Sequence, residues 1–160
     1  MLFKDNLGIK NLNLLTNNSN EIFESLYLAT GNSTGKGELA KIKDSDNIIL
    51  SLGNPSEMQN IVAMYAKQAA RAGKNLIVID PRETEITRHS NLWLKIKPGS
   101  ELLLLGAILK VIIDRDLADI EWIDKNCMGL PELKTSLELL DINHVVSKSG
   151  VDVSQIEKAA

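Results

Sequence analysis

Two short apolar runs, Asn47 to Leu52 and Asn75 to Ile79, constrain the fold more than any other feature of this sequence. Runs this short and this apolar suit strands of a parallel sheet covered on both faces. Between them Met58, Ile61, Val62, Tyr65 and Ala69 recur at spacings of three and four, the pattern of a helix with one buried stripe. Gly53, Asn54 and Pro55 end the first run, Ser56 is suited to cap the helix, and Gly73 follows its last turn near Ala72. Strand, helix and strand make a βαβ unit with a right-handed crossover. The expectation is an α/β fold: Rossmann-like, with a mostly parallel sheet flanked by helices on both faces.

The flanking sequence extends this reading. Residues 9–15 alternate apolar and polar, as a half-buried strand does. A turn at Thr16 to Asn20 leads to a helix over Glu21 to Ala29, capped by Ser19 or Asn20, with Ile22, Leu26 and Leu28 inward. Residues 31–37 read as a flexible linker, and a short helix is expected over Glu38 to Ile42. Beyond the βαβ unit, Pro81 to Asn91 reads as a polar loop with at most a helical turn. Leu92 to Ile96 reads as an edge strand. Pro98, Gly99 and Ser100 turn into a helix from Glu101 to Ile113. Helices over Asp119 to Asn126 and Glu132 to Leu140 follow, with Pro131 placed for a helix start. His144 to Val151 reads as a connector. Asp152 and Gln155 have capping-box spacing for a last helix. That helix has barely begun at Ala160, so residues 1–160 are expected to be a single α/β domain cut from a larger subunit.

Composition narrows the function classes. There are 18 basic and 21 acidic residues, a net charge of −3, and no basic run. This argues against nucleic acid or an anionic membrane as a partner. The longest apolar stretch, Leu102 to Ile113, is too short for direct membrane insertion, which needs about 20 residues. With no signal peptide at the start, the expected location is cytoplasmic, possible attachment to the inner membrane as part of a complex included. The one cysteine, Cys127, excludes an internal disulfide and a cysteine-cage metal site within these residues.

In an open parallel sheet, ligands bind beyond the carboxyl ends of the strands. Three loops are expected there: Gly53 to Glu57, Asp80 to Thr84, and Pro98 to Glu101. Glycine lets the backbone approach a phosphate, and the helix start after Ser56 offers free N–H groups to an anion. Asp80 stands where a carboxylate can accept ribose hydroxyls, and Arg82 can bind phosphate or stack on a base. Gly53, Asn54, Pro55, Glu57, Asp80, Pro81, Arg82, Thr84, Pro98, Gly99, Ser100 and Glu101 are therefore the candidate nucleotide-binding residues. The plainer alternative is that Gly53, Pro55, Pro81 and Gly99 only shape turns, and Glu57 only complements a helix dipole. Gly-x-Gly-x-x-Gly is absent, so an ordinary NAD fingerprint fails. Gly31 to Gly37 shares only composition with a P-loop. His89 and His144 lack partner spacing, Cys127 reads as a half-buried helix residue, and Trp93 reads as packing.

At these loops the chain resembles the molybdopterin oxidoreductase superfamily, which includes formate dehydrogenase catalytic subunits and the large iron–sulfur subunit of NADH-quinone oxidoreductase. The family pattern is Gly-x-Asn-Pro, Asp-Pro-Arg-x-Thr, Ala-Asp-x-x-Leu and Pro-Gly-Thr-Asp. Here Leu52 to Pro55, Asp80 to Thr84, Ser90 to Leu94 and Pro98 to Glu101 carry it, and Gly150, Val151 and Ile156 resemble the family's tail. The resemblance implies a domain holding the guanosine diphosphate end of a molybdopterin guanine dinucleotide that carries molybdenum or tungsten. Gly53 and Asn54 would line phosphates and ribose, Asp80 and Arg82 would hold the nucleoside, and Pro98 to Glu101 would close over guanine. Partners would be other domains of the parent subunit and electron-transfer subunits. Catalysis and any metal ligand would lie outside this piece. Ser19 falls nearest the family's metal-ligating position, but its surroundings lend that role no support. Departures from the pattern are Ser100 and Glu101 for Thr-Asp, Asn91 for an acid, and Lys97 for Arg. Relatives of the NADH-quinone oxidoreductase type keep the fold without molybdenum, so a cofactor-free structural domain of that enzyme is the alternative implied.

Overall fold

The structure, a computed structural model, describes residues 19–31 and 39–160, with residues 19–23 described by backbone alone. The strand expected over residues 9–15, most of the turn before the first helix and the linker beyond Gly31 lie outside the described residues. The chain divides into two compact units, Met1–Gly37 and Glu38–Ala160. In the first, helix α1 spans Ser19–Thr30, so Ser19 and Asn20, expected as caps, lie within its first turn. Leu28, expected inward, is 79% exposed.

The second unit is built on a parallel sheet of β1 (Asn47–Ser51), β2 (Asn75–Ile79) and β3 (Leu92–Leu94), in that spatial order. The register sets Ile49 beside Ile77, and Ile77 beside Leu92. A short 3-10 helix, Leu39–Asp44, precedes β1. After β1 come α2 (Pro55–Met58) and α3 (Asn60–Arg71). A second 3-10 turn, Ile86–His89, joins β2 to β3. Five helices follow: α4 (Glu101–Asp114), α5 (Ile120–Asn126), α6 (Leu130–Glu138), α7 (Ile142–Ser149) and α8 (Val153–Ala159).

Side chains alternate between faces along a strand, and β2 shows both cores at once. Leu76 and Val78 join Ile48, Ala66, Ala69 and Ile86 in the core beneath α3. Ile79 and half-buried Ile77 join Leu94, Leu104, Ala107, Val145 and Ile156 in the core beneath α4, α7 and α8. Helices therefore cover both faces of a parallel sheet, as the apolar runs predict.

Several local expectations are corrected. Among the described strands β1 lies at the edge, and Ile49 is 55% exposed: the second core gathers β2 and β3 side chains but none from β1. The helix expected as one piece breaks at Gln59, whose φ is −143°. Pro55, with its fixed φ, starts the first segment. Ser56 is not the cap; its hydroxyl donates to Glu85. The buried stripe of α3 is Ala63, Ala66 and Ala69, while Met58 and Ile61 face outward. Small side chains let this helix lie close on the sheet, since axial separation follows side-chain size at the contact.

The stretch expected to be a polar loop carries Ile86, which is fully buried in the α3-side core. The expected connector after His144 is helix α7, with Val145 fully buried. Asp141 caps it by accepting from the Asn143 N–H at 2.9 Å, and Gly150 at φ +76° ends it. The capping box of Asp152 and Gln155 forms at the start of α8, and Pro131 sits in the first turn of α6. Cys127 is exposed just past the end of α5 rather than half-buried within it. No described helix is long and apolar enough to cross a membrane.

Candidate functional site

All three strands run parallel, so their carboxyl ends share one edge of the sheet. The Leu52 N–H donates to Ile79 O at 3.0 Å and the Asp80 N–H to Leu94 O at 3.3 Å, which brings the exits of neighbouring strands side by side. The first two candidate loops begin at these exits.

In the first loop, Leu52 has φ +53°, in the left-handed region where a Cβ crowds the backbone. The glycine of Gly-x-Asn-Pro falls in register with Leu52, so this chain places a leucine where the backbone favours glycine. The chain then turns through Gly53 into α2. The Asn54 carbonyl accepts from the N–H groups of Glu57 and Met58, and Pro55 is buried. The Asn54 Oδ1 is buried and has no hydrogen-bond partner. Glu57 is exposed.

In the second loop, Asp80 is only 4% exposed. Its carboxylate accepts from the Arg82 N–H at 2.8 Å, and its carbonyl accepts from the Trp93 Nε1–H at 2.9 Å. Trp93 therefore helps fix Asp80 as well as packing at the sheet edge, and Lys95 Nζ lies 5.6 Å from the centre of its ring. Pro81 is half-buried and Arg82 is exposed. Thr84 is buried. Its N–H donates to Thr87 Oγ1, and its carbonyl accepts from the same hydroxyl at 2.8 Å. The Thr84 hydroxyl itself is buried without a partner.

The third loop lies three residues past β3 and is closed on itself. Ser100 Oγ donates to Lys97 O at 2.6 Å, and Glu101 Oε1 accepts from the Gly99 N–H at 3.0 Å. Ser100 thus shapes the turn after Pro98 instead of capping α4 with its side chain. The loop is anchored to α7, where Lys97 N–H donates to Ser149 O at 2.8 Å and Lys97 Nζ to Ser147 O at 3.1 Å.

Sequence reasoning missed a polar cluster joining the first two loops. Glu85 accepts from Ser56 Oγ at 2.5 Å and from Lys67 Nζ at 2.7 and 2.8 Å. His89 Nε2 lies 3.3 Å from the same carboxylate. The hydrogen bonds from Lys67 and then Ser56 hold the Glu85 carboxyl down to about 2, from an ordinary 4.5. Lys67, Arg71, Asn60 and Gln68 line a polar cleft beside it of about 390 Å³. The signal was hidden because its parts come from three elements. His144 stays exposed on α7, and no group of metal-ligating side chains forms among the described residues. A separate apolar cleft of about 410 Å³ between α4, α5 and α6, lined in part by Ile112, Trp122, Met128 and Leu133, contains no residue of the three loops.

Among the described residues, the buried side-chain oxygens without a partner are Asn54 Oδ1 and Thr84 Oγ1. Leaving such a group unpaired costs about 1–3 kcal/mol, so each calls for an explanation. Both fall in the candidate loops. The two loops thus offer oxygens at Asn54, Thr84 and the buried Asp80 carboxylate, beside the exposed guanidinium of Arg82.

These features define a Rossmann-like α/β domain with its polar groups gathered at the carboxyl ends of the strands. The family model for molybdopterin oxidoreductase matches residues 2–123, and the chain belongs to that family. It is 37% identical over 122 residues to the assimilatory nitrate reductase catalytic subunit of Bacillus subtilis (strain 168), covering 76% of this chain and 17% of that one. It is 33% identical over 132 residues to the F420-dependent formate dehydrogenase 1 subunit alpha of Methanococcus maripaludis, covering 82% and 20%. Among solved structures, acetylene hydratase from Pelobacter acetylenicus superposes with a TM-score of 0.61 at 26% identity, covering 76% of this chain and 19% of that one. The chain thus spans about a fifth of the length of these relatives.

Proposed function

We propose that this chain is the part of a formate dehydrogenase-like catalytic subunit that holds the guanosine diphosphate end of a molybdopterin guanine dinucleotide. The observation that carries this reading is the pair of unpartnered buried oxygens, Asn54 Oδ1 and Thr84 Oγ1, in adjacent loops at the carboxyl edge of the sheet. Gly53 and Asn54 would meet the phosphates and ribose, with Asn54 Oδ1 accepting from a hydroxyl. Asp80 keeps acceptor capacity beyond its bond to the Arg82 N–H, which suits ribose hydroxyls or a guanine N–H edge. Arg82 supplies a planar fork for phosphate or a stacking face for the base. Thr84 adds a hydroxyl. Pro98 to Glu101 would form the wall nearest the guanine. When bound, the group supplies a molybdenum or tungsten redox centre at its far end, and the residues that use it belong to the parent subunit outside this chain.

The reading assigns this chain binding and orientation, with electron transfer left to other domains and subunits. Isothermal titration of GDP into the full chain tests it. Saturable binding at or below millimolar GDP is expected. A folded sample that shows no heat up to that concentration would contradict the assignment.

A further inference from the structure

We propose that Glu85 is a positioning residue that ties the loop after β1 to the loop after β2 and thereby sets the separation of Asn54 and Thr84 around a nucleoside diphosphate. The inference rests on the nucleotide-holding reading above. Backbone pairing between β1 and the strand beside it ends with the Leu52 N–H on Ile79 O, so beyond that point the two loops need another link. Glu85 is the link. One oxygen takes the Ser56 hydroxyl at 2.5 Å and the Lys67 ammonium at 2.7 Å. The other takes Lys67 at 2.8 Å and faces His89 Nε2 at 3.3 Å.

The placement of the partners gives the link its consequence. Ser56 lies in α2, two residues after Asn54, and Lys67 lies on α3. Glu85 directly follows Thr84, and His89 closes the 3-10 turn of the same loop. Each residue with an unpartnered buried oxygen is therefore next to, or two positions from, a member of the cluster. Among the described residues, the Ser56–Glu85 bond is the side-chain hydrogen bond that joins α2 directly to this loop. An exposed ion pair alone contributes little. Here the Lys67 and Glu85 side chains are 23% and 49% exposed, and the carboxylate is shared by several donors. Charge-assisted bonds of this kind carry geometric precision as well as energy.

GDP titrated calorimetrically into the full chain and its variants tests the role. Ser56→Ala removes the cross-loop bond and leaves the Lys67–Glu85 pair in place. It is expected to weaken GDP about three- to tenfold, the range of one modest charge-assisted hydrogen bond. Ser56→Thr keeps the hydroxyl and should restore affinity to within about twofold of the wild type. Glu85→Ala should weaken GDP at least as much as Ser56→Ala. Wild-type affinity in Ser56→Ala overturns the positioning role while leaving the nucleotide reading intact. Equal weakening in Ser56→Thr also overturns it, since the effect would then be packing at that position. No GDP binding by the wild type overturns both readings together.

Discussion

Leu52 shows how one residue can carry both strain and position. Its φ of +53° places a branched side chain in the left-handed region, at a cost of about 1–2 kcal/mol. It is also 53% exposed, so its side chain recovers only part of its possible burial energy. Glycine would relieve the backbone but add about 0.5–1 kcal/mol of unfolded-state entropy. Leu52→Gly is therefore expected to change stability by less than about 1 kcal/mol, because the relieved strain is offset by that entropy and by about 1 kcal/mol of lost side-chain burial, read as a nearly unchanged urea midpoint. A loss above about 2 kcal/mol would mean that the leucine side chain contributes more than its exposure indicates. Residues of this loop were legible in the sequence because turn chemistry is local: Asn54, Pro55, Asp80 and Pro81 mark strand ends by themselves. Glu85 was not legible. Its partners Ser56 and Lys67 lie 29 and 18 positions away, and only the fold brings them to one carboxylate.

Among the secondary elements, periodicity was informative where one face is buried and misleading where small residues do the packing. β2 follows its apolar pattern closely. Helix α3 does not, because Ala63, Ala66 and Ala69 form its contact stripe while larger residues that fit the same spacing face outward. Helix α7 escaped notice because its stretch is short and polar overall, although Asp141 and Gly150 are ordinary start and stop signals. The segment between β2 and β3 hid a core residue in polar sequence. Ile86 is fully buried against Leu76, Val78 and Ala66, directly after Glu85. Ile86→Ala should cost about 2–5 kcal/mol in chemical denaturation, the range for a truncated core isoleucine. A loss below about 0.5 kcal/mol, the size of an ordinary surface change, would show that the loop is not anchored this way. The same anchor holds Thr84 and Glu85 in place, so the stability of this loop and its proposed chemistry share one residue.

For the molecule as a whole, a parallel sheet with helices on both faces follows from two apolar runs and the helix between them. The exposure of Ile49 on β1 did not follow, because an apolar run looks the same whether its second face is covered or open. The family is shown by the match over residues 2–123. The chain spans about a fifth of its relatives, and the proposed function leaves catalysis to sequence beyond these residues. The role proposed for these residues is to hold a polar ligand at one edge of the sheet. The most direct measurement is amide chemical-shift mapping of the full chain during a GDP titration. Shifts concentrated at residues 53–57, 80–85 and 98–101 are predicted, with Asn54 and Thr84 among the largest. Shifts centred on the apolar cleft between α4 and α6, or none at millimolar GDP, would contradict the account.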